Sequence, residues 1–420
     1  MNKHQSNNII SNNSLLHLLP INIRGKVIQG LDRSDLIWLR DQKNQLLLVL
    51  YYAYLEARKG GKRITHDEHS FEINEYQNLV DLAESIKRKA YEPSRSAAHI
   101  IRNPVIREIF AAPFRDRIVH HLIFNAVYDW WDDHFIYDSY SCRMNKGVLF
   151  GIKRLGHHIR SVSQRSDLPA YVMKLDIQGY FMSLPRKRLY KRAIWGLDRQ
   201  YQSQKNSPAY KLIKYLWQKI IFDDPVKGVV KKGKLTDWDL LPRSKSLFSQ
   251  PDGRGIVIGN LTCQLLSNVY LDQLDQFVTK TLGYKHYGRY VDDFYIVVDE
   301  TDLPQLKRDK EAIKNYLRSI GLTLHPNKCL LRKATDGIPF LGAIVNAQHA
   351  VPGHRLKRNI DKAFSEVVMG KRDTTTVSSY LGHAMHINSY NYIRKAFEKV
   401  GWEFTDDEIL RLRNKKPRPK

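Results

Sequence analysis

YVDDFYIVV, residues 290–298, is the stretch on which the fold turns. Two adjacent aspartates, Asp292 and Asp293, interrupt a run that is otherwise β-branched and aromatic. Adjacent like charges inside a β-forming run are costly unless a cation holds them. At a tight turn between two strands both carboxylates can project from one edge, where a hard divalent cation with oxygen ligands is the natural occupant. The enclosing segment, YKHYGRYVDDFYIVVD at 284–299, predicts such a strand–turn–strand. A lone Asp-Asp pair is more often a solvated turn, so the rest of the chain has to decide. Asp176 ends a second predicted strand, AYVMKLDI at 170–177. If the two strands are neighbours, three carboxylates converge. That set suits two Mg²⁺ ions, with Mn²⁺ as a substitute, stabilising the attacking and leaving oxygens of an in-line phosphoryl transfer.

Outward from these strands the pattern is regular. A helical stretch follows 177 to about 222, and a Lys/Gly/Pro-rich stretch at 223–255 reads as a long loop with short strands. A helix at 260–282 precedes the acidic hairpin; a helix at 303–320, a strand at 322–332 and a Gly-containing strand at 339–348 follow it. The order β-α-β-β-α-β is the ferredoxin-like arrangement. Upstream, helices are predicted at about 31–58, 74–89 and 116–134, with a hairpin at 97–110; a turn signal, KGGKR, stands at 59–63. Downstream, 355–414 is mostly helical and basic. The Asn/Ser-rich residues 1–20 are expected to be loose and the tail KKPRPK disordered. There is no internal repeat of solenoid period.

The chain has 420 residues, with 68 Lys+Arg against 43 Asp+Glu, a net +25. An excess of that size suits a polyanionic partner, because phosphate contacts release counterions; the alternative is a basic soluble protein with no nucleic-acid role. Cys142, Cys263 and Cys329 are scattered, which suggests neither a zinc site nor a disulfide framework and makes a reducing cytoplasm the simplest compartment. The N-terminus lacks a signal-type apolar run. The apolar cluster LLLVLYYAYL at 46–55 is half the length of about 20 residues that a bilayer requires, so no membrane is expected.

YVDD at 290–293 and KLDIQGYFMSL at 174–184 resemble the catalytic motifs of reverse transcriptases. The resemblance implies an enzyme, an RNA-directed DNA polymerase. Its fold would be α+β, a right hand with fingers, ferredoxin-like palm and helical thumb. Its catalytic carboxylates would be Asp176, Asp292 and Asp293, with Ile177 completing the metal set. Phe181 stands where an aromatic excludes a 2′-hydroxyl. REIFAAPFRDRIVHH at 107–121 looks like the fingers motif, with Arg107 reaching the incoming dNTP and Arg117 in support. YSCRMNKG at 140–147 resembles the next fingers motif, with Arg143 as its basic residue. LTLHPNKCLL at 322–331 resembles the palm motif whose lysine, here Lys328, protonates the pyrophosphate leaving group. PFLGAIV at 339–345 looks like the primer grip, with Phe340, Leu341 and Gly342. The implied division is an N-terminal helical extension at 1–70, fingers at 71–170, palm at 171–350 with a fingers-side helical insertion at about 185–255, and thumb with basic tail at 351–420.

GRGIVIGNLTCQLLSNVYLDQLD at 253–275 discriminates within the family. Group II intron, retron and retroviral relatives carry Q-G-x-x-x-S-P. This chain has Ile258-Gly259-Asn260-Leu261-Thr262-Cys263-Gln264, similar to the I-G-x-x-x-S-Q of diversity-generating retroelement enzymes, with Cys263 in place of Ser. IIRNPVIREIFAAPFRDRIVHH, LPRSKSLF and SYLGHAMHINSY agree with that group. Ile258, Gly259 and Gln264 would then abut the nascent pair, and an Ile that cannot hydrogen-bond would loosen selection, most at template adenines. Implied partners are template RNA, an RNA–cDNA hybrid, dNTPs and a small basic accessory protein. No HNH, RNase H, protease or integrase pattern stands in these residues, which disfavours a self-mobilising intron protein or a polyprotein. Two alternatives remain open: a defence role of abortive-infection, CRISPR-associated or retron type, and a non-catalytic RNA-binding protein on the same fold.

Overall fold

Short apolar runs rich in β-branched and aromatic residues make strands of 171–176 and 293–298, the second buried along nearly its whole length, and 3.6-residue apolar spacing makes the long helices around them. The computed structural model describes residues 14–20, 24, 26, 41–59, 65–102, 105–166, 168–371 and 375–401. In chain order come α1 (Gln42–Ala57), α2 (His66–Glu72), α3 (Glu75–Lys87), β1 (Ala97–Ile101), β2 (Arg107–Ala111) and α4 (Phe114–His134). Then follow α5 (Val148–Ser166), β3 (Tyr171–Asp176), α6 (Arg186–Gln200), α7 (Pro208–Phe222), β4 (Val230–Lys231) and α8 (Leu261–Gln276). The remainder is β5 (Tyr287–Tyr290), β6 (Asp293–Val298), α9 (Leu303–Ser319), β7 (Leu330–Lys333), β8 (Ile338–Phe340), β9 (Ala343–Val345), β10 (Ala350–Pro352), α10 (His354–Val368), α11 (Thr375–Ala384) and α12 (Tyr390–Lys399). The class is α+β, as expected.

The chain divides into two units, each drawn from separated segments. The first holds 1–136, 177–276 and 316–323. Its centre is α4, whose Ile118, Val119, Leu122 and Ile123 are fully enclosed, packed by α1, α7 and α8. Beside them β1 pairs antiparallel with β2 and, on its other edge, parallel with the short β4.

The second unit holds 137–176, 277–315 and 324–420. Its four-stranded sheet runs β5-β6-β3-β7, all antiparallel, the strand order of the β-α-β-β-α-β arrangement. Helix α5 covers one face through Ile152, Leu155, Ile159 and Val162, packed on Val172, Tyr295 and Val297. A three-stranded meander, β8-β9-β10, extends the same core. Helices α10, α11 and α12 bury Leu356, Ile360, Phe364, Leu381, Ile393 and Phe397 against one another.

Five expectations change, the first being the Gly-containing strand predicted at 339–348, which is the hairpin β8–β9 turned at Leu341 and Gly342. The strand predicted at 322–332 is regular only from Leu330 to Lys333, because Pro326 brings a turn and lacks the N–H a ladder needs. The helix predicted to 282 is α-helical to Gln276 and continues as a π turn, Phe277–Thr281. The stretch after 177 breaks between α6 and α7, where Ser207 caps the second helix through the Tyr210 N–H and Pro208 opens it. Helix α5, 148–166, was not among the predicted elements. Residues 1–13, 27–40, 60–64 and 402–420 lie outside the described residues, and with them the loose start, part of the first helix and turn signal, and the basic tail.

Candidate active site

Strand β3 carries Asp176 at its end, and in the ladder Asp176 is the direct partner of Asp293, the first residue of β6. Asp292 lies between β5 and β6 in the two-residue turn Val291–Asp292, closed by the Tyr290–Asp293 pair. Val291 has φ 56°, a left-handed conformation that is a true outlier for a β-branched residue and costs on the order of 1–3 kcal/mol. The turn that presents the aspartates is therefore strained.

Both paired carboxylates meet an ammonium. Lys174 Nζ lies 2.9 Å from Asp293 Oδ2. Lys328 Nζ lies 3.1 and 3.2 Å from the two oxygens of Asp176. Asp293 is about one-fifth exposed, yet its Oδ1 is enclosed and makes no hydrogen bond. Burial first, then the charges of Asp292 and Asp176, push its carboxyl up to about 6, against the pull of Lys174. The expected convergence of three carboxylates is met in part. Asp176 and Asp293 are brought together with Asp292 adjoining, but among the described residues no group of three His, Cys, Asp or Glu side chains is arranged to hold an ion as it stands. The lysines occupy oxygens that a cation would need. The donors nevertheless fit a hard cation, being carboxylate oxygens with one enclosed and unsatisfied.

The same unit holds two further predicted groups. Phe340, Leu341 and Gly342 form the β8–β9 hairpin, with φ 49° at Leu341 and 87° at Gly342, the double left-handed turn in which a glycine costs nothing. Phe340 is buried, edge-on to Tyr295 at 5.1 Å and 5.9 Å from the Lys174 ammonium. Arg143 is partly buried and donates Nη1 to the Ser139 carbonyl at 3.2 Å.

The first unit holds the others. Arg107 is exposed on β2. Arg117 donates Nε to the Ala112 carbonyl at 2.8 Å, which stiffens the entry to α4 rather than leaving a free fork. Ile177 is buried, and Phe181 is partly exposed with its carbonyl held by the Ile256 N–H at 2.9 Å. Ile258 is partly exposed and accepts from the Phe110 N–H at 2.9 Å, so its segment lies alongside β2. At Gly259 φ is 136°, and a Cβ would stand 2.2 Å from the Phe110 carbonyl oxygen; only glycine fits. Gln264 is exposed on the first turn of α8, while Cys263 is buried and burial pushes its thiol up to about 12.

Three residues escaped the sequence reading. Lys174 faces Asp293. Buried Glu108, next to Arg107, accepts from Ser246 Oγ at 2.7 Å and the Leu247 N–H at 3.0 Å, tying the LPRSKSLF segment to β2. Arg289, fully enclosed, reaches the Val291–Asp292 turn. The one available signal was the presence of ionisable residues inside strands otherwise apolar.

An antiparallel sheet that presents aspartates from a strand end and from the facing hairpin is the arrangement of a polymerase palm. The chain matches the family model described as reverse transcriptase (RNA-dependent DNA polymerase) over residues 105–345, and it belongs to that family. No curated protein matches the sequence. Among solved structures it is similar to apo telomerase from Candida tropicalis, at 12% identity and TM-score 0.43, covering 76% of this chain and 60% of that one. It is also similar to telomerase from Candida albicans in complex with a fragment of telomeric RNA, at 11% identity and TM-score 0.44, covering 82% and 61%. The chain thus spans about 60% of those telomerase chains, and at such identity neither bears on its substrate. Among the described residues no helix is long and apolar enough to cross a membrane.

Proposed function

We propose that this chain is the polymerase of a diversity-generating retroelement, copying a template-repeat RNA into cDNA with errors directed to template adenines. The observation that carries the reading is the Ile258–Gln264 segment. Ile258 offers a partly exposed aliphatic side chain from a backbone fastened to β2, and Gly259 admits no other residue. An aliphatic group at the nascent pair removes a hydrogen bond that a glutamine would supply, and a lost polar contact costs discrimination.

In this reading Asp176, Asp292 and Asp293, with Ile177 beside them, hold two Mg²⁺ ions, or Mn²⁺ in their place. When bound, the ions supply the charge that activates a primer 3′-hydroxyl and neutralises the triphosphate. Lys328 donates a proton to the departing pyrophosphate, a task that requires its ammonium to leave Asp176. Arg107, Arg117 and Arg143 bind dNTP phosphates or the shell around them, Phe181 excludes a 2′-hydroxyl, and Phe340, Leu341 and Gly342 hold the primer. The residues divide into fingers, palm and thumb as the family resemblance implies. Template RNA and the RNA–cDNA hybrid meet the basic surface through phosphates, a small basic accessory protein assists, and the work is done in the cytoplasm.

The test is Mg²⁺-dependent primer extension on cognate structured RNA with the accessory protein, followed by sequencing of the cDNA. Misincorporation concentrated at template adenines, and lowered in Ile258→Gln, is expected. An ordinary error spectrum that Ile258→Gln leaves unchanged overturns the subtype, and no dNTP incorporation at all overturns the enzymatic reading.

A further inference from the structure

The strained backbone at Val291 needs something to hold it. Valine has no intrinsic preference for φ 56°, and neither asparagine nor glycine stands in the turn. What reaches it is Arg289, two residues earlier on β5. Its guanidinium is completely buried. Nη1 donates to the Val291 carbonyl at 3.1 Å and Nη2 to Ser139 Oγ at 3.3 Å.

The guanidinium is itself held. Residues 138–140 run beside β5 as a parallel bridge: the Arg289 N–H donates to the Asp138 carbonyl at 2.9 Å and the Tyr140 N–H to the Arg289 carbonyl at 3.0 Å. That segment is fastened to α5, where Arg154 grips Asp138 with both Nε (2.6 Å) and Nη2 (2.9 Å). Tyr140 closes the loop, donating its hydroxyl to Asp138 at 3.0 Å and lying 2.8 Å from the Tyr295 hydroxyl on β6. Contacts therefore run from helix α5 through Asp138 and Ser139 to the carbonyl of the turn.

A buried cation is costly, and an apolar chain of like volume would fill the same space at lower cost. The guanidinium's contribution lies in its donors. We propose that Arg289 is a positioning residue for the metal site: it holds the Val291 carbonyl, and with it the left-handed backbone that sets where Asp292 and Asp293 stand. This rests on the reading that those aspartates carry the metal ions.

The test is Arg289→Met, with Arg289→Lys beside it, each alone and combined with Val291→Gly, in the full chain. Three readouts are taken: melting temperature with RNA affinity, Mn²⁺ binding by electron paramagnetic resonance without nucleotide, and kcat and KM for dNTP. The expected result is a folded protein with normal RNA affinity, Mn²⁺ affinity and kcat each lowered about tenfold or more, and KM little moved. Val291→Gly, which adopts the turn without strain, is expected to restore a large part of the Mn²⁺ affinity. Wild-type Mn²⁺ affinity in a folded Arg289 variant overturns the proposal, as does a loss that Val291→Gly does not relieve. So does failure of both single variants to fold, which would make Arg289 a core residue only. If instead Asp292→Ala and Asp293→Ala bind Mn²⁺ as well as wild type, it is the metal-site reading that fails.

Discussion

Asp176 and Asp293 are directly paired positions on neighbouring antiparallel strands, and each meets the ammonium of a different lysine. Burial first, and behind it the like charges of Asp292 and Asp176, push the Asp293 carboxyl up to about 6. A cation that satisfies both should therefore stabilise the fold, by the logarithm of its concentration over its dissociation constant. Asp293→Asn is expected to abolish dNTP incorporation, to keep RNA affinity, and to melt without Mg²⁺ no lower than wild type. Mg²⁺ should raise the wild-type melting temperature and leave that of the variant alone. Scanning calorimetry with and without Mg²⁺ checks this, and an equal rise in both would remove Asp293 from the metal set.

Gly259→Ala tests the seat of the discriminating segment. The new methyl would stand 2.2 Å from the Phe110 carbonyl oxygen on a backbone at φ 136°. A loss of about 2 kcal/mol or more in urea unfolding is expected, from strain and steric shift together. Stability within a few tenths of wild type would mean that the segment does not dock on β2 in solution.

Acid should weaken the first unit through His120. This side chain is buried, with Nδ1 2.7 Å from Thr262 Oγ1 on α8, and burial pushes it down to about 3. A folded value below the unfolded 6.5 means that the neutral form is the stabilised one. The contribution is therefore complete above pH 6.5 and is lost as pH falls from there towards 3. Between pH 7 and pH 5 the loss from this group is about 2 kcal/mol. His120→Asn should flatten that part of the stability profile; an equally steep profile in the variant would point to other groups.

Removing Asp138 should leave Arg154 and the buried His158 facing each other without their anion. Against the opposing effect of burial, hydrogen bonds from His158 and then Arg154 hold the Asp138 carboxyl well below its ordinary range. Because the pair is partly exposed, the expected cost of Asp138→Ala is about 2 kcal/mol rather than the 3–5 of a fully buried pair. Equilibrium unfolding at pH 7 measures it, and a change below about 0.5 kcal/mol would show that this network does not secure the segment behind β5.

Much of the second unit's sheet could be read from the chain. Strand 171–176 ending at Asp176 and the hairpin about 291–292 follow from short β-branched and aromatic runs bounded by acidic residues. Hairpin β1–β2 follows for the same reason, and helices α3, α4 and α9 follow from apolar residues at 3.6-residue spacing. Helix α5 was hidden because its small and polar residues, Gly151, Gly156, His157 and His158, dilute the apolar stripe that Ile152, Leu155 and Ile159 make. The pairing of Lys174 with Asp293 depends on cross-strand register, which local sequence does not specify. Arg289 was illegible for a further reason. Turn chemistry predicts Gly or Asn where the backbone turns left-handed, and here a valine stands, held from elsewhere.

The segments of the second unit are interleaved with those of the first, so Asp176 and Asp293 are separated in the chain by all of residues 177–292. Closing a loop of that length has to precede the reward of the β3–β6 ladder, and such non-local pairings form slowly. On the ribosome Asp176 emerges long before its partner, and a nascent chain stalled before residue 293 carries one of the two paired carboxylates with nothing to face. The polymerase thus completes its sheet late in its own synthesis, when β6 slots between β5 and β3.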